Sequence, residues 1–98
     1  MTIEQQIYNG NRAKEVLDNE AFQQVFTDYK TEITEQWTKS PARSVDDREK
    51  LWLMLSLLNR LEVMLRTTLE TGEMRKLDLA HEEKKRLLDK AKGWIGNL

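Results

Sequence analysis

The chain has 98 residues, with 16 Lys and Arg against 17 Asp and Glu, so it holds material for one hydrophobic core and no strong electrostatic pull toward nucleic acid. It has no Cys, one Pro and four Gly. A disulfide scaffold and a thiolate-bound metal are excluded, and a single all-α domain spanning residues 1–98 is expected. The first residues, Met1 to Gln6, lack a basic start followed by an apolar run, and no stretch approaches the roughly 20 apolar residues that span a bilayer. A soluble protein inside the cell is the expectation.

In chain order, residues 2–17 open with Thr2 and Gln5, spaced for a capping box, and place Ile3, Ile7, Ala13, Val16 and Leu17 on one side. Asn9-Gly10 predicts an interruption, hence a short or broken amphipathic helix. Asp18 or Asn19 supplies the cap of the next helix. There Phe22, Val25, Phe26, Tyr29, Ile33 and Trp37 recur at three and four residues, a stripe about 120° wide that buries one side. Ser40-Pro41 stops this helix, because the proline ring restricts the residue before it and offers no N–H.

Ser44 starts the strongest helix, with Asp46, Asp47 and Glu49 at its electropositive end. Its expected range is Val45 to Thr71, with Gly72 as the left-handed terminator, a length of about 40 Å. Leu51, Met54, Leu55, Leu58, Leu61, Leu65 and Leu69 form one face, and Leu53, Leu57, Met64 and Thr68 widen it to about 200°. One partner helix does not cover such an arc, so the element is the centre of a bundle or part of an interface between copies. Trp52 and Val63 stand apart on the polar side with Asn59 and Arg60. A last helix is predicted from Glu73 to Trp94, carrying Leu77, Ala80, Leu87, Leu88, Ala91 and Ile95, and the Thr71-Gly72 corner folds it back as a long antiparallel hairpin. The expected core comprises Phe22, Phe26, Tyr29, Ile33, Leu51, Leu55, Leu58, Leu61, Leu65 and Leu88.

Residues 1–49 hold 6 basic and 10 acidic side chains and residues 50–98 hold 10 and 7, so the halves carry −4 and +3. Antiparallel packing of the two would bring opposite charges together. Catalytic chemistry finds no foothold: His81 is the single histidine, and the position four residues later, where a zinc-binding helix needs a second one, is Lys85. His81 is expected at the edge of the buried stripe, and no catalytic residue, metal or cofactor is expected. Glu62 lies by angle within the leucine face, where it needs a partner such as Arg66, serves as a polar register device between helices, or acts as an acid. Basic residues gather at Lys84, Lys85 and Arg86, but acids share the segment and no aromatics interleave, so only weak nucleic-acid contact is expected.

The segments Arg12 to Leu17, Asn19 to Phe26, Trp37 to Arg43, Arg48 to Trp52 and the run closing at Thr71-Gly72 resemble a group of small proteins of tailed bacteriophages. The likeness spans roughly residues 12 to 80 and implies a setting among head and packaging genes, with no enzymatic activity to transfer. The reading is a homo-oligomeric phage assembly or accessory protein, a dimer first, in the host cytoplasm or the virion. Self-association is expected through Leu51, Leu55, Leu58, Leu61, Glu62 and Leu65, and a phage or host partner at Trp52, Asn59, Arg60 and Val63. An inhibitor of a host defence or replication protein is the alternative, with DNA-packaging or regulatory DNA binding as a third class.

Overall fold

The computed structural model describes residues 1–96. It comprises three helices, α1 (Ile3–Asp18), α2 (Glu20–Lys39) and α3 (Val45–Gly96), with no strand among the described residues. The capping box forms as the spacing predicts: Gln5 N–H donates to Thr2 Oγ1 at 3.1 Å and Thr2 N–H to Gln5 Oε1 at 2.9 Å. One residue, Asn19, separates α1 from α2. Its backbone is extended, and its Oδ1 accepts from Phe22 N–H at 2.9 Å, satisfying an orphan donor of the second helix. α2 ends where Pro41 forces Ser40 into an extended conformation (φ −70°, ψ 135°).

Both glycines read as breakers are inside helices. α1 runs unbroken through Gly10, and α3 runs unbroken through Gly72 for 52 residues, about 78 Å at the helical rise. There is no Thr71-Gly72 corner, and the two helices expected on either side of it are one. The physical reason is that Gly10 and Gly72 face each other. A methyl group on Gly10 would stand 2.7 Å from the Gly72 Cα and 3.1 Å from the Thr68 carbonyl oxygen. One on Gly72 would stand 2.8 Å from the Gly10 Cα and 3.1 Å from the Gln6 carbonyl oxygen. The missing side chains let two backbones touch, so each helix keeps its own hydrogen bonds through the glycine.

The hairpin expected about Thr71-Gly72 is absent, and α1 and α2 instead run back along α3. Gln6 meets Arg75, Gly10 meets Gly72, Lys30 meets Glu62 and Trp37 meets Arg48, a falling partner number that sets α1 and α2 end to end and antiparallel to α3. The reversal lies in Ser40–Ser44. Arg48 holds it, donating from Nη1 to the carbonyls of Trp37 (3.3 Å) and Ser40 (3.1 Å) while its guanidinium stacks 4.1 Å from the Trp37 ring. The Trp37 carbonyl also accepts from Ser40 N–H (3.2 Å) and Ser40 Oγ (2.6 Å), so Arg48 joins the cap that Ser40 makes on α2 and ties that end to α3.

Two helices end to end do not enclose a third. The extents are 83 × 25 × 19 Å and the radius of gyration is 22.8 Å, against about 13 Å for a compact chain of this length. Among the described residues, only Ala13 and Ile33 are buried hydrophobic residues, Ile33 at 2% exposure. Phe22, Phe26, Leu51, Leu55, Leu58 and Leu65 are half-buried in the seam, whereas Tyr29, Leu61 and Leu88, expected in the core, are exposed. Tyr29 and Leu61 sit at the edge of the seam, and Leu88 lies beyond the reach of either packed helix. The N-terminal segment does fold back onto α3, around Glu62 to Lys76, but the arrangement stays open.

The glycine contact yields a paired test. Gly72→Leu should lower the stability by about 1–3 kcal/mol through overpacking, even against the roughly 1 kcal/mol gained in helix propensity. Gly93→Ala, with nothing within 4 Å of the added carbon, should be neutral or stabilising by up to about 1 kcal/mol. Urea denaturation followed by far-UV circular dichroism reads both.

Candidate interaction surfaces

Helical geometry sorts the side chains along the hairpin into two flanks. Lys30 Nζ lies 3.0 Å from Glu62 Oε2 and so marks one flank of the seam between α2 and α3. On the other flank, at 100° per residue, fall Val25 and Tyr29 of α2 and Leu53, Leu57, Leu61 and Met64 of α3. All six are exposed, Leu57 at 69%. They form one apolar strip across both helices. Leu51, Leu55, Leu58 and Leu65, which the sequence assigned to self-association along with Leu61, give part of their surface to α1 and α2. Leu61 is the member of that set on the open strip, and Leu53, Leu57 and Met64 extend it.

Glu62 has the edge ion pair expected of it, with Arg66 Nη2 at 3.2 Å one turn on, and also the long-range partner Lys30, which no local pattern in the sequence indicates. Lys30 additionally lies 5.0 Å from the centre of the Phe26 ring. Hydrogen bonds from Lys30 first, then from Arg66, hold the Glu62 carboxyl below its ordinary value against a small opposing effect of burial.

The flank carrying Glu62 also carries two adjoining clefts at the closed end of the hairpin, both walled by Trp37 and Trp52. The larger, about 300 Å³, is completed by Ala42, Val45, Arg48 and Glu49, and the smaller, about 120 Å³, by Ile33, Thr34, Leu51 and Leu55. α1 crosses α3 several turns away and does not cover Trp52, which stays 57% exposed, nor Val63, also exposed. Asn59 and Arg60 are exposed with them. The residues assigned to a hetero-partner therefore lie on open surface, and Trp37 is the member that sequence periodicity had placed in the seam alone.

The third surface is the free end of α3. The last side-chain bonds that α1 makes to it are Arg75 Nε to Gln6 Oε1 (2.9 Å) and Lys76 Nζ to Asn11 Oδ1 (2.6 Å). From Leu79 to Gly96 every residue is exposed, including His81, so the buried stripe that His81 was expected to flank does not exist. Lys84, Lys85 and Arg86 project from this arm into solvent, as do Leu87, Leu88, Trp94 and Ile95.

Among the described residues, no three His, Asp or Glu side chains converge as a metal site, and no helix is long and apolar enough to cross a membrane. No family model, curated protein or solved structure matches the chain.

The depressed Glu62 carboxyl sets the sign of a pH dependence. Its ionised form is favoured by folding, so its contribution is full above the ordinary carboxylate range and disappears as pH falls through the depressed value. Thermal melts across that acid range should show a loss of stability that Glu62→Gln lessens. At neutral pH the same substitution should cost no more than about 1 kcal/mol, since all three partners touch solvent.

Proposed function

We propose that this chain is a non-enzymatic assembly or accessory component that acts through helix-mediated self-association and protein binding. The observation that carries the reading is the amount of uncovered surface. The chain exposes 8115 Å², whereas a folded monomer of 11.6 kDa exposes about 5,800 Å². The difference, about 2,300 Å², exceeds the roughly 800 Å² per partner of a standard interface. Identical copies, a dimer in the simplest case, supply the cover, and they close the association by symmetry. The resemblance to small proteins of tailed bacteriophages supports a place in virion assembly, in the infected cell or in the particle.

The Trp37–Trp52 clefts favour a second role on the other flank, recognition of a different protein. Trp and Arg are enriched among residues that dominate binding energy, and here a Trp-lined apolar cleft adjoins Arg48. A phage structural protein as partner means an assembly factor, and a single host protein means an inhibitor.

Light scattering at tens of micromolar should report a multiple of 11.6 kDa, and a monomer mass would overturn self-association. A pulldown from infected cells separates the two partner classes: capsid, portal or packaging proteins in one case, one host protein in the other. Trp52→Ala should abolish hetero-partner capture while costing under about 1 kcal/mol of stability, because more than half of the side chain is already in water.

A further inference from the structure

We infer that two copies of the chain pair through their α3 arms, as an antiparallel coiled coil whose two-fold axis passes between Lys85 and Arg86. This rests on the self-association proposed above and names its surface, its occupant and its register. A stretch of helix that no other element touches is marginal in water, so the arm from Leu79 to Gly96 takes its cover from outside the chain. The arm itself specifies that cover. Leu77, Lys84 and Ala91 recur every seventh residue, as do Ala80, Leu87 and Trp94 three places on, with His81, Leu88 and Ile95 beside those. These are the a, d and e positions of a helix that packs along another, and with Met74 at the preceding e position they extend for about 33 Å. All are exposed, and at 100° per residue they lie on the side turned away from α1, which meets α3 at Thr68, Gly72 and Arg75. The strip through Leu57 is on the opposite face from this stripe and takes no part.

Charge fixes both direction and register. In a parallel pair Lys84 meets Lys84 of the second copy inside the seam, and Glu83 and Lys90 lie against the apolar Leu88 and Ile95. In the antiparallel pair the flanking g positions face each other, so Glu83 of each copy lies against Lys90 of the other. Sliding one heptad in one direction sets Glu83 against Glu83, and in the other Lys90 against Lys90. The register that joins opposite charges also sorts the seam by size: Leu77 opposite Trp94, Ala80 opposite Ala91 and Lys84 opposite Leu87, with Met74 beside Ile95 and His81 beside Leu88. Lys84 packs its stem and extends its ammonium to water, the lone polar a residue that restricts register and strand number. One symmetric contact thereby covers Met74, Leu77, Leu87, Leu88, Trp94 and Ile95, all left in solvent by the chain's own fold.

The absence of cysteine makes the test direct. Ala80→Cys and Ala91→Cys proteins, both altered at exposed positions, are mixed and oxidised. The mixture should give a covalent dimer at least tenfold faster than either protein alone, because in this register like positions lie about 16 Å apart along the axis, beyond disulfide reach. Rapid coupling of Ala80→Cys with itself would overturn antiparallel pairing and leave self-association standing. By sedimentation equilibrium at low salt, Glu83→Lys should weaken dimerisation about tenfold, and Glu83→Lys with Lys90→Glu in the same chain should restore it. A double variant as weak as the single one would sink the register. Leu88→Glu should weaken dimerisation at least tenfold while Leu57→Glu leaves it unchanged; the reverse result would move the interface to the strip and end the proposal. A wild-type chain of monomer mass removes the self-association beneath it.

Discussion

The touching backbones of Gly10 and Gly72 fix where everything else lies. Because the contact admits no side chain on either helix, α1 has one seat along α3, and the single residue Asn19 then delivers α2 to the stretch between Glu62 and Arg48. Two consecutive helices are used up in covering one side of α3 from its start to about Asp78. Among the described residues, nothing is left for the remaining flank or for the last five turns. The open surface follows from a contact made elsewhere, and it was already implicit in a helix with a 200° apolar arc and too few residues to enclose it.

The features legible in the sequence are those settled within a few residues. Thr2 with Gln5, Asn19 as a cap, Ser40-Pro41 as a stop and Ser44 as a start need only their neighbours, and each stands where the pattern put it. Glu62 with Arg66 is legible for the same reason, since one helical turn separates them. Gly10 and Gly72 were misread because glycine has two uses with the same local appearance, conformational freedom at a turn and absence of bulk at a crossing. Which applies depends on a partner 62 residues away. Periodicity has the parallel weakness at Leu88. It identifies the side that a neighbour would cover, and it is silent on whether a neighbour is there. The self-association set was displaced likewise, most of the leucines chosen being those that α1 and α2 already share.

The hairpin thereby separates two kinds of recognition on one thin scaffold. The strip through Leu57 is long, flat and aliphatic, the character of a surface made for another helix. The clefts between Trp37 and Trp52 are short, aromatic and set beside the rigid corner that Arg48 braces, the character of a surface that receives a loop or a single side chain. Because they lie on opposite flanks of the seam, occupation of one leaves the other in solvent.

The order of partners along the hairpin also ranks the entropic costs of closing it. Trp37 with Arg48 closes a loop of 11 residues, Lys30 with Glu62 one of 32 and Gly10 with Gly72 one of 62, so the entropic cost of closure rises steadily away from the corner. Against that gradient stands the packing, which is closest at the far end, where the backbones of Gly10 and Gly72 touch. The corner is the cheapest contact to close and the glycine crossing the most intimate once closed, so the hairpin is held at both ends. Amide protection should therefore be high in α1, in α2 and along the stretch of α3 they cover, and least from Leu79 to Gly96, where every residue is exposed.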